Sequence, residues 1–349
     1  MDKLQVGVIG LGMGRGHVAG YQEHPHAEVV AVADLDEQKL HEVAHEMDVP
    51  HRYSSGEEML EHASLDIVSV ATPNKFHKPL TIQALQSGCH VLCEKPMAMD
   101  AGEAREMIQA AEEADRRLMI NFSFRFNEVA DALKKQVDRG QLGDVYFGRT
   151  VWLRRRGLPG FGGWFGQKEL SGGGPLIDLG VHRIDLALWL MGYPRPVWVM
   201  GSTYDHISSR LAAEQGKEFD VEDMAAAMIK FDNGATLEAE ASWAGYIGER
   251  ELMRTRLLGT EGGLIYRNVG EGYEFEAEIY REEDGYHFDK QLHPMGVGVH
   301  SAMYHFVDAI VADEPHIATG EEGLIVMELL DAIYESARNG TPVKIEHGG

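Results

Sequence analysis

The segment LQVGVIGLGMGRGHVAGY, residues 4–21, constrains the fold of this chain more than any other. An apolar run, Leu4 to Ile9, leads straight into Gly10, Gly12 and Gly14, and a helix-like pattern follows. Glycines in that place permit a tight turn and let backbone N–H groups approach a pyrophosphate at a helix N-terminus. The dinucleotide-binding fingerprint G-x-G-x-x-G sits between a strand and a helix in this way. Here the third glycine position is Arg15, flanked by glycines at 14 and 16, so the loop is a one-residue variant. Asp34 ends the next strand-like run, 24 residues after Gly10. A carboxylate there is placed for the ribose hydroxyls and repels a 2′-phosphate, so NAD is expected rather than NADP.

The rest of the first third repeats the alternation. EVVAVAD (28–34), DIVSVAT (66–72), HVLCE (90–94) and LMINF (118–122) read as strands. DEQKLHEVAHEM, PLTIQALQSG and AGEAREMIQAAEEADR read as helices between them. Nearly continuous apolar strands alternating with helices predict a parallel sheet covered on both faces. After about residue 125 the texture changes to longer strand-like runs joined by short turns such as DNG (232–234) and EGG (261–263). Those turns predict an antiparallel sheet. The expected class is α/β: a Rossmann domain over 1–124, then an α+β domain over 125–349 with a large, mostly antiparallel open sheet. The helix near residues 321–340 is expected to pack, with its docking onto the first domain left open.

Composition excludes several partners. A formal net charge of -24 repels nucleic acid and anionic membranes, both of which are held by Lys and Arg. No run reaches the roughly 18 apolar residues of a membrane span. Two cysteines, Cys89 and Cys93, make no disulfide framework, and the N-terminus shows no signal-peptide pattern, so a cytoplasmic location is expected. The histidines are scattered without compact metal-binding spacing, and no metal is expected.

Glu94, Lys95 and Pro96 follow the strand HVLC. In a Rossmann sheet this is the carboxyl edge, where ligands bind. A lysine there reaches a substrate hydroxyl beside the nicotinamide; alone, the same pair reads as a solvated surface pair. In SGGGPLIDLGVHRIDLALWLMG (171–192), a single helix is expected from Pro175, with Asp178, His182, Asp185 and Trp189 on one face. An Asp four residues before a His orients the ring and stabilises its charged form, as a general base requires; the other reading is a core His satisfied by a local Asp.

With these pieces, the chain resembles the Gfo/Idh/MocA oxidoreductases, which include inositol dehydrogenases and glucose–fructose oxidoreductase. The resemblance runs over nearly the whole length and rests on the glycine loop, ATPNKFH (71–77), GCHVLCEKP (88–96), FRFN, QLGDV, GGGPLIDLGVHRIDL, FDNGA, LLGTEGG and AIYESARNGTPVKI. It implies a cofactor lying over Gly10, Gly12, Met13 and Gly14, with Asp34 at the adenosine ribose. Thr72, Pro73, Asn74 and His77 would border it further along, and Glu94 would lie near the nicotinamide ribose with Lys95. By matching motifs Lys95, Asp178 and His182 would be catalytic. The resemblance also implies a homodimer or homotetramer formed through the second domain's sheet.

The expected activity is hydride transfer between the nicotinamide and a secondary hydroxyl of a sugar or cyclitol such as an inositol. Substrate contacts are sought at Arg125, Trp164 and His300, and Trp164 reads equally as a plug at a subunit contact. Two alternatives stand beside this reading. One is a glycosidase of the same fold that uses NAD transiently and holds it without exchange. The other is a dinucleotide sensor without turnover, against which Lys95, Asp178 and His182 together argue.

Overall fold

The computed structural model describes residues 3–293, 296 and 298–345. The chain divides into two compact units, Met1–Ser123 with His300–Met327, and Phe124–Val299 with Glu328–Gly349.

The first unit is built on six strands: β1 (Leu4–Ile9), β2 (Ala27–Ala33), β3 (His51–Tyr53), β4 (Ile67–Val70), β5 (His90–Cys93) and β6 (Leu118–Ile120). All five pairings are parallel and the spatial order is β3-β2-β1-β4-β5-β6, the doubly wound dinucleotide-binding order. Burial explains the apolar runs: Val6, Val8, Val68, Val70, Val91 and Cys93 have no exposed surface. Between the strands lie α1 (Gly14–Gln22), α2 (Glu37–Glu46), α3 (Gly56–His62), α4 (His77–Gln86) and α5 (Ala101–Ala114). Asp36, Ser55 and Asp100 cap α2, α3 and α5 by accepting the N–H three residues on. The helix expected to open at Pro79 begins two residues earlier, at His77, leaving Pro79 in the first turn, where its missing N–H costs nothing.

The second unit carries a nine-stranded sheet. Its members are β7 (Val145–Arg154), β8 (Pro196–Tyr204), β9 (Met224–Phe231), β10 (Thr236–Ser242), β11 (Glu251–Gly259), β12 (Gly262–Asn268), β13 (Phe275–Glu283), β14 (Tyr286–Leu292) and β15 (Val343–Lys344). They are ordered β14-β13-β12-β11-β7-β10-β9-β8-β15, and only β7 and β10 run parallel. Register sorts the side chains into rows. Val199, Ile229, Leu237, Gly148, Leu257, Leu264 and Ile279 lie across from one another and are buried. The next row, Met228, Glu238, Arg149, Arg256, Ile265 and Glu278, takes the opposite face and keeps solvent contact.

The helices are α6 (Glu128–Asp138), the single turn α7 (Lys168–Ser171), α8 (Val181–Leu190), α9 (His206–Gln215), α10 (Ala302–Ala312) and α11 (Gly320–Asn339). α10 belongs to the first unit, and α11 crosses the boundary after Met327. Leu133 of α6 and Leu186 and Leu190 of α8 pack with Leu257, Leu264 and Ile279 into one core on the buried face. No described helix is long and apolar enough to cross a membrane.

Candidate active site

In the first unit the glycine loop is held from two sides. Gly10 has φ +86°, and a Cβ there would lie 2.6 Å from the Ala71 carbonyl oxygen, so only glycine fits. The Asp34 carboxylate accepts the Leu11 N–H at 2.7 Å and the Asp36 N–H at 2.8 Å, tying the end of β2 to the loop. A carboxylate has about four acceptor positions, so two bonds leave room for ribose hydroxyls. A Cβ at Gly12 would meet nothing within 4 Å, and Met13 is exposed, so the crest of the loop is an open cradle suited to a pyrophosphate. Arg15, the residue that departs from the fingerprint, pairs with Glu46 of α2 at 2.7 Å.

Beyond β4, the Thr72 hydroxyl is buried and bonds none of the described residues. Pro73 precedes a 3₁₀ turn, Asn74–Phe76, in which Asn74 is buried. His77 is fully buried, with Nδ1 2.7 Å from the Pro96 carbonyl and Nε2 2.8 Å from the Thr72 carbonyl. It staples the two loops together, and burial pushes its pKa below the ordinary histidine value.

Glu94 is also buried. Its Oε1 accepts from His17 Nε2 at 2.9 Å and from Asn121 Nδ2 at 2.6 Å, and Oε2 accepts the Lys95 N–H at 3.1 Å. The far side of His17 meets Ser69 Oγ at 2.8 Å. Burial alone would raise the Glu94 carboxyl, but the bonds and charge of His17, with Lys95 and Asn121, hold it down at about 2. Glu94 is thus committed within the fold, where it fixes the backbone that presents Lys95, itself half-buried. His17 and Asn121 were missed from sequence; a signal for His17 was its place in α1 directly behind the glycine loop.

In the second unit the segment entering α8 is not one regular helix. Leu176–Gly180 is a π turn, a form that recurs at functional sites, and α8 follows it. Its entry is clamped by Glu222, which accepts the Gly174 N–H at 2.9 Å, the Leu176 N–H at 3.2 Å and the Tyr334 hydroxyl at 2.8 Å. A Cβ on Gly174 would lie 2.1 Å from the Glu222 carbonyl oxygen, which explains the glycine there. Asp178 Oδ2 accepts Trp243 Nε1 at 3.0 Å. The His182 ring lies 5.1 Å from the Phe124 ring, edge-on, and 5.6 Å from Trp152. Asp185, expected on the same face, is buried against Arg125 and accepts its Nε at 3.0 Å and the Tyr193 hydroxyl at 2.6 Å.

Arg125 is only 1% exposed and is bound to that Asp185 and Tyr193 pair. Trp164 is half-buried and stacks on Phe165 at 3.9 Å in a 3₁₀ turn of the second unit. His300 is exposed, belongs to the first unit and stacks on Tyr304 at 3.8 Å. Among the described residues no group of three or more His, Cys, Asp or Glu side chains is placed to hold a metal ion.

Comparison with known proteins bears on the family and the fold. Residues 4–122 match an oxidoreductase family profile described as an NAD-binding Rossmann fold, and residues 134–345 match that family's C-terminal alpha/beta domain. The chain is similar to D-glucoside 3-dehydrogenase of Escherichia coli K12, at 33% identity over 98% of this chain and 97% of that one. It is similar to myo-inositol 2-dehydrogenase of Thermotoga maritima at 26% identity, over 98% of this chain and 99% of the other. Among solved structures, aldose-aldose oxidoreductase from Caulobacter crescentus superposes with a TM-score of 0.83 at 27% identity, covering 98% of this chain and all of that one. Two domains, a Rossmann sheet in the dinucleotide-binding order with an open glycine cradle, and matches along nearly the full length lead to one assignment: the chain is an NAD-binding member of the Gfo/Idh/MocA oxidoreductase family.

Proposed function

We propose that this protein is an NAD-dependent dehydrogenase that oxidises a secondary hydroxyl of a sugar or cyclitol. The observation that carries the reading is the Glu94 network, which fixes the backbone of Lys95 at the carboxyl edge of the Rossmann sheet. The clamped π turn and α8, which carry Asp178 and His182, supply its counterpart. Similarity to D-glucoside and inositol dehydrogenases supports the substrate class. Bound NAD supplies the hydride acceptor. His182 takes the proton of the substrate hydroxyl while Lys95 donates a hydrogen bond to the same oxygen. Asp178, steadied by Trp243, sets the orientation of His182. Thr72, Pro73 and Asn74 border the cofactor; His77 acts through the loops it joins. Of the three substrate candidates, Trp164 and His300 keep solvent contact, whereas Arg125 is enclosed and bound to Asp185 and Tyr193. Asp34 favours NAD over NADP, because its charge repels a 2′-phosphate. Two copies associate through the open face of the nine-stranded sheet.

The test is absorbance at 340 nm with NAD or NADP and a panel of glycosides, aldoses and inositols. A rise with NAD is expected for at least one of them, and Lys95→Ala and His182→Ala are expected to be silent while binding NAD within about tenfold of the parent. Silence of the parent across the panel, with NAD retained, would overturn the dehydrogenase reading and favour the glycosidase or sensor.

A further inference from the structure

α8 carries a second charged group next to His182. Arg183 has no exposed surface. Its guanidinium lies 4.3 Å from the centre of the Phe124 ring, 5.3 Å from Trp152, 5.6 Å from Phe275 and 5.8 Å from Tyr266. Nη2 reaches Met253 Sδ at 3.4 Å, a weak acceptor. Among the described residues Nε and Nη1 find no hydrogen-bond partner, and neither does the buried Tyr266 hydroxyl. These atoms touch almost no accessible space, so no room is left beside them for water or a small anion.

A buried guanidinium ordinarily pairs with a carboxylate. The carboxylates of this region are taken: Glu251 holds Trp152 Nε1 at 2.6 Å and Arg154 Nε at 2.8 Å, and Asp185 holds Arg125 and Tyr193. Arg183 is instead held by the faces of aromatic rings. Burial pushes its pKa down to about 10, which still leaves it charged at neutral pH. His182 touches two of the same rings. The distances from the Phe124 centre, 5.1 Å to the imidazole and 4.3 Å to the guanidinium, bound the separation of the two groups at about 9.4 Å.

We propose that Arg183 is a positioning residue whose unneutralised charge biases His182 toward its neutral, proton-accepting form, with the Phe124 and Trp152 rings setting the spacing. One charge at that distance and an effective dielectric of about 20 displaces a neighbour's protonation by about one pH unit. The charged and titratable groups of these elements are Asp178, bound by Trp243; the Asp185–Arg125 pair; the Glu251–Arg154 pair; and Tyr266 and Tyr273, which with Glu251 act on Arg183. Asp178 favours the imidazolium and Arg183 opposes it. On the reading above, in which Asp178 orients His182, Arg183 keeps that base from being saturated with protons. The inference deepens the reading of His182 as the base and rests on it.

The experiment follows His182 by NMR in the full-length protein carrying [¹³Cε1]histidine, its resonance identified by its loss in His182→Asn. Removing a nearby positive charge favours the imidazolium, so Arg183→Met is expected to raise the protonation midpoint by about one unit. Glu251→Gln removes a negative charge and is expected to lower it. An unchanged midpoint in folded Arg183→Met overturns the proposal. If that variant does not fold, an unchanged or raised midpoint in Glu251→Gln overturns it. The acid limb of kcat/KM, measured on a substrate found in the panel, is expected to move with the midpoint. A moved midpoint with an unmoved limb supports the charge coupling and removes His182 as the base.

Discussion

Glu94 shows how a single buried residue can organise its surroundings. Its carboxylate gathers His17, Asn121 and the Lys95 N–H, and its pKa is held at about 2 against an ordinary 4.5. A depressed carboxyl contributes stability that is complete above its unfolded pKa and fades as pH falls through the folded one. Glu94 is therefore expected to contribute about 3 kcal/mol at pH 7, lost between roughly pH 4.5 and 2. Urea titrations of wild type and Glu94→Gln from pH 7 downward check this. The gap between the two proteins should narrow in that window, and a constant gap would show that the carboxylate's charge is not what the network uses. The place of Lys95 at the carboxyl edge of the first sheet was legible in the sequence because it follows the buried strand HVLC. His17 and Asn121 were not, since each meets Glu94 only once parallel strands bring distant segments together.

At the scale of elements, the strands and helices of the first unit were readable because strands buried on both faces must be apolar throughout. The irregular entry to α8 was not. A π turn has no composition of its own, and Glu222 and Trp243 lie 48 and 65 residues from the groups they hold. The Gly172–Gly174 run was visible, but its reasons, a positive φ at Gly172 and the close approach of Tyr334 to Gly173 and of Glu222 to Gly174, were not. Gly174→Ala places a methyl group 2.1 Å from a backbone oxygen, so the entry must shift. The variant is expected to lose about 3 kcal/mol or more of stability and at least tenfold in kcat. Denaturant melts and steady-state rates measure both, and a stable, fully active Gly174→Ala would remove the clamp from the account.

On the scale of the whole molecule, the sheet of the second unit keeps one face partly open to solvent, with Met228, Arg149, Arg256 and Ile265 along one cross-strand row. A face that mixes apolar and charged groups in register suits a self-complementary contact between two copies. Ile265→Asp is expected to shift the sedimentation coefficient to that of a monomer while the melting temperature of the folded chain falls only modestly. A wild type that already sediments as a monomer would dispose of the association. The parallel first sheet and antiparallel second were both foreseen, whereas the return of residues 300–327 to the first unit depends on contacts that no local pattern records.

That return has a consequence for the birth of the protein. The first unit is completed by His300–Met327, and the second by Glu328–Gly349, whose strand β15 pairs with β8. Domains usually fold in the order in which the ribosome delivers them. Here a chain of 299 residues contains neither unit in full, so the last fifty residues are the keystone of both. Until they emerge, the first unit has all six strands but lacks α10 and the start of α11, and the second lacks its edge strand β15, so neither unit can complete its packing before the end of synthesis.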